Sequence, residues 1–400
     1  MCDNGAMNHK SGPIAPSAVW SGLAVACAAL VLPLPAQQSG EADPSRGAAS
    51  RPVQPRPTAV GRALQWLRAH QDEDGKWDCD GFMKHDEAGK PCDGAGRATH
   101  DIGVTALAVL AFLGDGSTLR SGPYKPDLKA AIRWLRNNQQ DNGLFGSDEA
   151  PDFIYDHAIA TYAMCEAYGL SSYTLLKSTA QKGLDYLEAH RNSGGVWRYR
   201  PGSGESDTSV TTWALLACWA GQSFGLSVNQ AAFTCAGQWY DEVTDADGRV
   251  GYTKMGEPGS RHPGDHASRF PRSRCETLTA MALFGRLLLG QDPEEDPSML
   301  EGARLVRSKP PRWDAATGSI DAIYWFFGGH AMFQIGGESW RAWSRALTDQ
   351  VGAHQRLDAN ARGSWDPVGV WGEDGGRVAA TALNALALQS GYRYGRLKAR

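Results

Sequence analysis

Two kinds of helical segment alternate along the chain. Segments of the first kind carry apolar residues on one side and Lys, Arg or Glu on the other, a pattern typical of helices that lie on a protein surface. Segments of the second kind are apolar nearly all round, which predicts that they are buried. The buried segments are 100–110, 156–163, 207–216, 275–283, 320–334 and 376–390. We therefore predict six inner helices, each preceded by an outer one.

A fixed spacing recurs in the first four outer segments. Each has an aromatic residue, a polar residue five positions later, a glycine nine positions later and a mostly bulky residue eleven positions later. The sets are Trp66, Gln71, Gly75 and Trp77; Trp134, Gln139, Gly143 and Phe145; Tyr186, Arg191, Gly195 and Trp197; and Trp239, Thr244, Gly248 and Val250. A period of 52 or 53 residues between the last three anchors is typical of a repeat protein. The outer partners near 301–307 and 340–355 have lost most of the motif.

The last inner segment decides between an open array and a closed ring. An open array of repeats needs polar terminal caps, but segment 376–390 is as apolar as the others. We therefore predict an all-α fold, an (α/α)6 toroid of six outer and six inner helices, over residues 59–400. The repeat also accounts for most of the 14 tryptophans. It accounts for much of the high glycine content as well, 47 residues in all, because each unit uses an aromatic anchor and a turn glycine.

The N-terminal region differs in composition from the repeats. Residues 18–35 carry no charge and are followed by small residues, which predicts that 1–36 are a signal peptide, with an uncleaved signal anchor as the alternative. Residues 37–58 are typical of a flexible linker. We expect an exported protein of the periplasm or cell envelope, for which association with a membrane surface stays open and no oligomeric state is indicated. The net charge of −4 argues against a nucleic-acid partner.

The cysteines bear on disulfides and on metal binding. Export would permit disulfides, and Cys79 and Cys92 lie in one Gly/Asp-rich loop, so a local bridge and two free thiols both stay open. Cys165 and Cys218 lie in apolar helices and are typical of inert core thiols. No CxxC pair or Cys/His spacing typical of zinc occurs, and the Asp-rich loop 72–93 does not match an EF-hand. We therefore expect no metal and no cofactor.

The repeated units resemble the QW motif of terpenoid cyclases, whose toroid also occurs in protein prenyltransferase β-subunits and complement thioester domains. The C-terminal stretches Gly363-Ser364-Trp365-Asp366-Pro367, Trp371-Gly372 and Gly375-Gly376-Arg377-Val378 are similar to the last repeats of squalene–hopene cyclases. They also resemble the exported "prenyltransferase and squalene oxidase repeat" proteins of planctomycete-type bacteria. The resemblance implies a central cavity that binds an isoprenoid, a hopanoid or another apolar ligand.

The residues that carry chemistry in those families are missing or altered. Squalene cyclases protonate an alkene with an Asp of a DxDD motif, and no DxDD occurs here, since Ser206 replaces the middle Asp of the nearest match. The zinc motif of protein prenyltransferases is not recognisable either. We therefore expect ligand binding without the known cyclisation route. The alternative is a non-catalytic structural or protein-interaction module of the cell envelope.

A third interpretation is an enzyme that uses an acidic rim. Asp101, Asp156 and Asp207 occupy equivalent starts of three inner helices, Asp321 lies near the equivalent place in the fifth, and His157 adjoins Asp156. In a ring of parallel inner helices these groups would meet at one mouth, where carboxylates and His suit acid–base chemistry or a metal. Asp is also a preferred N-cap and is stabilised by the helix dipole, so capping alone is the competing explanation.

Aromatic residues on the inner helices are the candidate ligand-binding wall. The candidates are Tyr162, Trp213, Tyr324, Trp325 and Phe326. Aromatic faces stabilise cations and pack against prenyl-like ligands, while the competing explanation is a packed core. An open cavity walled by these rings would support binding, and a solid centre would contradict it. The Gly/Pro/Arg-rich loop 256–274 is a candidate lid, with a plain surface loop as the alternative.

Overall fold

The computed structural model describes residues 58–395 and 397 of the chain. The predicted signal peptide, and all of the predicted linker except Thr58, lie outside the described residues. Among the helices that are described, none combines the length and the apolar character needed to cross a bilayer.

Twelve helices of ten or more residues form the framework of the described part, and we number them α1 to α12 along the chain. The outer helices are α1 (Ala59–Ala69), α3 (Lys125–Asn137), α5 (Lys177–His190), α7 (Gln230–Val243), α9 (Pro297–Ser308) and α11 (Gly337–Ala346). The inner helices are α2 (Asp101–Gly114), α4 (Phe153–Ser171), α6 (Thr208–Ser223), α8 (Thr277–Leu288), α10 (Ala322–Ile335) and α12 (Gly372–Gln389).

The inner helices form a closed ring. Each inner helix packs against the next one, and α12 packs against both α10 and α2. The outer helices surround them, and α1 covers α12 as well as α2. The predicted (α/α)6 toroid is therefore confirmed, including its closure.

Burial follows the two kinds of sequence pattern. In the inner helix α2, every residue of 102–113 is buried, because neighbours surround it on all sides. The outer helix α3 buries only Leu128, Ala131, Ile132 and Leu135, which recur at the spacing of one helix face. The periodicity thus separates the two layers correctly.

The repeated Gln joins neighbouring units. The Gln71 side-chain nitrogen donates to the carbonyl of Gly75 in its own turn, at 2.8 Å, and to that of Asp127 in α3, at 3.0 Å. Gln139 makes the same pair of bonds one unit later. A Cβ on Gly75 would overlap the backbone of α3, so the absence of a side chain lets the turn approach the next outer helix.

The repeated Trp joins the turn to its own unit. The indole nitrogen of Trp77 donates to the carbonyl of Leu67 at 2.7 Å, and that of Trp197 makes the equivalent bond. The backbone nitrogen of Trp77 donates to the hydroxyl of Thr105, on α2, at 3.0 Å. The motif is therefore a set of contacts between a turn, an outer helix and an inner helix.

The sixth unit carries the same contacts, which the sequence spacing did not reveal. Gln355 donates to the carbonyls of Gly363 and Ala59, both at 2.8 Å. The Trp365 indole donates to the carbonyl of Val351 at 2.7 Å. Four extra residues between the Gln and the Gly hide the motif in the sequence. Because Ala59 lies in α1, these bonds close the ring.

The end of the ring where the inner helices finish is covered by the residues after α12. Arg393 forms an ion pair with Glu166 and also donates to the backbone carbonyl of Leu110. The Tyr394 hydroxyl donates to Glu166 at 2.5 Å, and its ring contacts that of Trp219 at 5.9 Å between centroids. We call this the closed end of the ring, and the opposite end, where the inner helices begin, the mouth.

Candidate functional site

The centre of the ring is packed with aromatic side chains. The Trp213 and Phe326 rings stack with centroids 5.7 Å apart, and Phe327 contacts both. Phe284 stacks on His330 at 5.1 Å. These rings fill the region where the resemblance implied an open apolar cavity.

Three other candidate wall residues also lie in the packed interior. Tyr162 is fully buried. The Tyr324 hydroxyl donates to the carbonyls of Val306 and Lys309, so its ring is directed to the outer layer at α9. Trp325 packs against Trp313 instead of facing the ring centre, with centroids 5.8 Å apart. These residues therefore pack in the interior, in line with the competing explanation of a packed core, and a role for them in ligand binding stays a prediction.

A small cavity with a largely apolar lining lies at the mouth, between the starts of α2, α4, α10 and α12. Its volume is about 140 Å³. The lining residues with polar or aromatic side chains are His100, Asp156, Trp313, Asp366, Trp371, Asp374 and Asn384, and Asp366 is ion-paired with Arg377 and Arg356. Of the four predicted rim aspartates, Asp156 lines this cavity.

Asp156 is a buried carboxyl group paired with His100. Burial raises the pKa of Asp156, although the hydrogen bond from His100 acts in the other direction. The His100 Nδ1 and Asp156 Oδ2 atoms are 3.0 Å apart. Gly103 on α2 makes room for this carboxyl, because a Cβ there would overlap Asp156 Oδ1. The site thus holds a carboxyl group with a raised pKa beside a cavity, an arrangement suited to proton transfer.

His100 stands among several carboxylates. Burial lowers the pKa of its imidazole, but the hydrogen bond and charge of Asp156 and the charges of Asp152 and Asp374 raise it overall. Its Nε2 atom is buried and has no hydrogen-bond partner among the described residues. The nearest carboxylate, Asp152, is 3.9 Å away, which is beyond hydrogen-bond distance.

The amide of Asn384, on α12, is the second unsatisfied group of the cavity. Its Oδ1 atom is buried without a hydrogen-bond partner among the described residues, and the residue is 2% exposed. Buried polar atoms are nearly always paired, with protein groups, water or a ligand. Together with His100 Nε2, Asn384 therefore marks the cavity as a place for a polar ligand.

Asp374 provides a second carboxylate, and sequence reasoning missed it. It lies in the first turn of α12, where its Oδ2 accepts from His262 at 2.8 Å and its Oδ1 lies 3.1 Å from an Arg97 nitrogen. In the sequence, Arg377 stands in the sixth unit at the position equivalent to the rim aspartates. The break in α12 at Gly376 adds a helical turn before that position. The acidic pair just before Gly375 was therefore the sequence signal for a carboxylate at the mouth.

The candidate lid 256–274 lies beside the mouth. His262 reaches Asp374 as described, the His266 Nε2 is 2.9 Å from the carbonyl of Val370, and Arg269 pairs with Glu373 at 2.8 Å. The loop also packs against the indole of Trp371, since the His262 and Trp371 ring centroids are 5.7 Å apart. The loop therefore packs against three residues that line the cavity, Val370, Trp371 and Asp374, and its movement as a lid stays a prediction.

The other three rim aspartates support the scaffold. Asp207 and Asp321 cap their own helices, accepting from the backbone nitrogens of Val210 at 2.8 Å and Tyr324 at 3.0 Å. Asp101 binds the preceding loop instead, with Lys76 at 2.5 Å and the Cys79 nitrogen at 2.8 Å. The four carboxylates do not form one site, and the competing explanation of capping is right for two of them.

His157 also belongs to the scaffold. Its Nδ1 accepts from the backbone nitrogen of Phe145 at 3.1 Å, the position that Thr105 occupies in the first unit. Burial lowers its pKa to about 3, so it is neutral at physiological pH. It takes part in the repeat contacts and does not line the cavity at the mouth.

The cysteines of the described residues are free. Cys79 and Cys92 are both buried and form no bridge with each other. Cys79 instead contacts the carbonyl of Asp374, with its Sγ at 3.5 Å. Cys165 and Cys218 are free and buried within the inner helices.

Comparisons with known proteins add to the fold more than to the site. No protein-family model matches the sequence, and no curated protein is detectably similar to it. The structure is similar to that of cellobiose 2-epimerase from Bacillus thermoamylovorans, with a TM-score of 0.56, 12% identity, and 82% of this chain and 96% of that chain covered.

Two further structures have the same kind of fold. An inactive variant of the α-1,6-mannanase of Salegentibacter sp., in complex with α-1,6-mannotriose, has a TM-score of 0.55 at 11% identity, with 83% of this chain and 98% of that chain covered. An α-amylase from Clostridium perfringens has a TM-score of 0.54 at 12% identity, with coverages of 85% and 100%. At such identities the similarity shows the fold.

These findings correct the resemblance drawn from the repeats. The similar structures are carbohydrate-active proteins with an α/α toroid, not terpenoid cyclases or prenyltransferases, so the assignment to a squalene-cyclase-like family is wrong. The expectation of an isoprenoid, hopanoid or other apolar ligand is wrong as well. The contacts among Trp213, Phe326 and Phe327 agree with this correction, because these rings pack against one another. The motif reports how toroid turns are built, which does not fix the chemistry.

Proposed function

We propose that this protein binds a carbohydrate in the cavity at the mouth and cleaves a glycosidic bond there by acid–base chemistry. The observation that carries the proposal is the pair of buried, unpartnered polar atoms, His100 Nε2 and Asn384 Oδ1, beside two carboxyl groups. A sugar hydroxyl both donates and accepts hydrogen bonds, so neighbouring hydroxyls of one ring would satisfy the imidazole and the amide.

The two carboxyl groups supply the roles that glycoside cleavage requires. Such enzymes use one carboxylic acid to protonate the leaving oxygen and one carboxylate as base or nucleophile. Asp156 suits the first role because burial raises its pKa. Asp374, held by His262 and Arg97, suits the second. The indole of Trp371 adds an apolar face of the kind that stacks against sugar rings.

The similar structures support a carbohydrate ligand, with a different arrangement of acids. The α-1,6-mannanase is described as inactive when two consecutive aspartates are replaced. This chain has no two consecutive aspartates, and its acid pair at the mouth comes from two helices, α4 and α12. The proposal therefore rests on the cavity of this protein and takes only the class of ligand from its neighbours.

The size of the cavity limits the substrate. A volume of about 140 Å³ is below the roughly 300–1,000 Å³ typical of sites for drug-sized ligands. We propose that it receives one sugar unit at the end of a glycan. The predicted signal peptide would place such a protein among extracellular glycans.

The test uses the purified chain with α-1,6-mannotriose, cellobiose and a maltooligosaccharide. We expect binding by NMR saturation transfer to at least one of them and release of single sugar units by chromatography. Asp156→Asn and Asp374→Asn should abolish release without loss of fold, whereas Asp349→Asn, an exposed residue on another face, should leave it unchanged. Activity should fall as the pH rises through the raised pKa of Asp156. No binding to any of the three glycans, or full activity of Asp156→Asn, would overturn the proposal.

A further inference from the structure

We propose that His70, Asp86 and Cys92 bind one zinc ion that fastens the long loop between α1 and α2. One donor atom from each residue, an imidazole nitrogen, a carboxylate oxygen and a thiol sulfur, lies within 4.8 Å of both others. Nitrogen, sulfur and oxygen donors of these residue types are the ligands that zinc takes in proteins. This site is separate from the cavity at the mouth and does not depend on the proposed carbohydrate chemistry.

The imidazole of His70 is oriented as a metal ligand. Its Nδ1 is 2.8 Å from the carbonyl of Trp66, so this nitrogen carries the proton and donates it. Nε2 forms a second hydrogen bond, with Asp86 Oδ1 at 3.0 Å, and zinc would replace the proton of that bond. The ring is fixed by stacking on Trp66, with centroids 4.0 Å apart. Metal-binding histidines commonly use the second nitrogen in this way, which sets the tautomer and the ring angle.

Asp86 brings the thiol to the same place. Its Oδ2 accepts from the backbone nitrogen of Cys92 at 2.5 Å. The Asp86 and His70 side chains are only 2% and 5% exposed, and Cys92 is 9% exposed. With metal–ligand distances of about 2.0–2.3 Å, donors of a tetrahedral site lie about 3.5 Å apart. The observed spread requires shifts of about 1 Å, within reach of side-chain rotation.

The position of the site explains what a metal would do there. The segment 71–97 contains only one short 3-10 turn, Phe82–His85, although it links two long helices. Loops of this length without regular structure are uncommon in compact domains. A metal held by residues 70, 86 and 92 would join the end of α1 to two distant points of the loop. Because bound metal stabilises the state that holds its ligands together, its binding energy becomes folding energy.

The loop also reaches the mouth, which gives its order a consequence. Arg97 pairs with Asp374 at 3.1 Å, and Arg377, on α12, forms an ion pair with Asp93. A fastened loop would hold these contacts in place. A second group, Asp78, Asp80 and Asp101, consists of carboxylates alone and already pairs with lysines, so it carries no proposal.

The experiment measures metal content and not activity. The intact protein is stripped of metal with a chelator and reloaded with Zn²⁺. Its metal content is then measured by inductively coupled plasma mass spectrometry. We expect about one zinc per chain. Cys92→Ser and Asp86→Asn should weaken zinc binding roughly tenfold or more, whereas Cys235→Ser, at a half-buried cysteine elsewhere, should bind as the wild type does. Co²⁺ loading should give a thiolate charge-transfer band that Cys92→Ser lacks.

A measurement on the wild type covers the case in which a variant fails to fold. The midpoint of thermal unfolding should fall on chelation and return on addition of Zn²⁺, but not of Mg²⁺. A wild-type protein without bound zinc, or a Cys92→Ser variant that keeps full zinc affinity, overturns the proposal. Failure of the glycan tests would leave these readouts unaffected, so the two proposals are tested apart.

Discussion

The two ends of the ring differ in what lies beside their buried polar groups. At the closed end, Glu166 is engaged by both Arg393 and Tyr394, and Arg393 binds a backbone carbonyl as well. Buried atoms without a partner among the described residues occur at both ends: Gln389 Oε1 and the two ring nitrogens of His330 toward the closed end, and His100 Nε2 and Asn384 Oδ1 at the mouth. The residues at the mouth line a cavity, whereas the buried charges of the closed end are paired by the chain itself. The difference separates architecture from function within one repeated fold.

The largest expected effect tests the closed end. Glu166→Ala leaves the Arg393 guanidinium, whose side chain is 2% exposed, buried without its counter-ion. We expect a loss of about 3–5 kcal/mol in the free energy of unfolding, measured by urea denaturation. The double variant Glu166→Leu/Arg393→Met removes both charges and should recover much of the loss. A single variant as stable as the wild type would show that the closed end is not held by this pair.

The second largest expected effect tests the contact between the last turn and α1 that closes the ring. Gly363 has φ of 101°, and a Cβ there would overlap the carbonyl of Arg62 in α1. We expect Gly363→Ala to lower the free energy of unfolding by about 2–4 kcal/mol, from backbone strain and steric overlap together.

Gly89→Ala is the matched control for this contact between the last turn and α1. Gly89 has a similar φ of 96°, but a Cβ there meets nothing within 4 Å. It should cost only the backbone penalty of about 1 kcal/mol. Equal losses of stability in the two variants, measured by thermal unfolding, would mean that the overlap with α1 adds nothing to the cost of the backbone strain.

A smaller effect concerns Asp207, at the mouth end, whose Oδ2 has no hydrogen-bond partner among the described residues. Burial raises its pKa to about 6, whereas an unfolded Asp has a pKa of about 3.9. The folded chain therefore keeps this proton to a higher pH than the unfolded chain does. As a result, Asp207 lowers the free energy of unfolding progressively as the pH rises from about 4 to about 6. Relative to the wild type, Asp207→Asn should gain about 2–3 kcal/mol over that range. A constant difference in urea stability between the two pH values would contradict this.

The smallest effect compares two amides on one helix. Asn384→Leu at the mouth removes an unsatisfied oxygen, so stability should stay within about 1 kcal/mol of the wild type or rise, while glycan binding is lost. Gln389→Leu, toward the closed end of α12, breaks a bond of 2.8 Å to the Ala111 carbonyl and should cost about 1–2 kcal/mol. If Asn384→Leu destabilises as much as Gln389→Leu, the two ends do not differ in the way described.

The fold was accessible from the sequence because its signals are periodic. The spacing from Trp66 to Trp77 recurs with the units, and the positions of Gln71 and Trp77 make contacts that recur in later units. The sixth unit escaped because Gln355 and Gly363 are separated by an insertion, which changes the spacing and not the hydrogen bonds. The same generality misled the assignment of family, because contacts that build a turn say nothing about the chemistry at the mouth.

The site was accessible only in part. Asp156 and its neighbour His100 could be placed at the mouth, since helix starts share one end of the ring. Asp374 was hidden by the break in α12. Tyr324 and Trp213 look alike in sequence, but helix rotation directs Tyr324 to the outer layer and Trp213 to the centre. An apolar run predicts burial and does not tell a cavity wall from a filled core.

The seam between the last turn and the first helix has a consequence for the order of folding. The bond from Gln355 to Ala59 joins residues 296 positions apart, so it carries the greatest loop-closure entropy of the repeat contacts. During synthesis, α1 leaves the ribosome long before the turn that it must meet. The contacts between the first helix and the last unit therefore form late in folding. Only when they form does the ring become one cooperative unit.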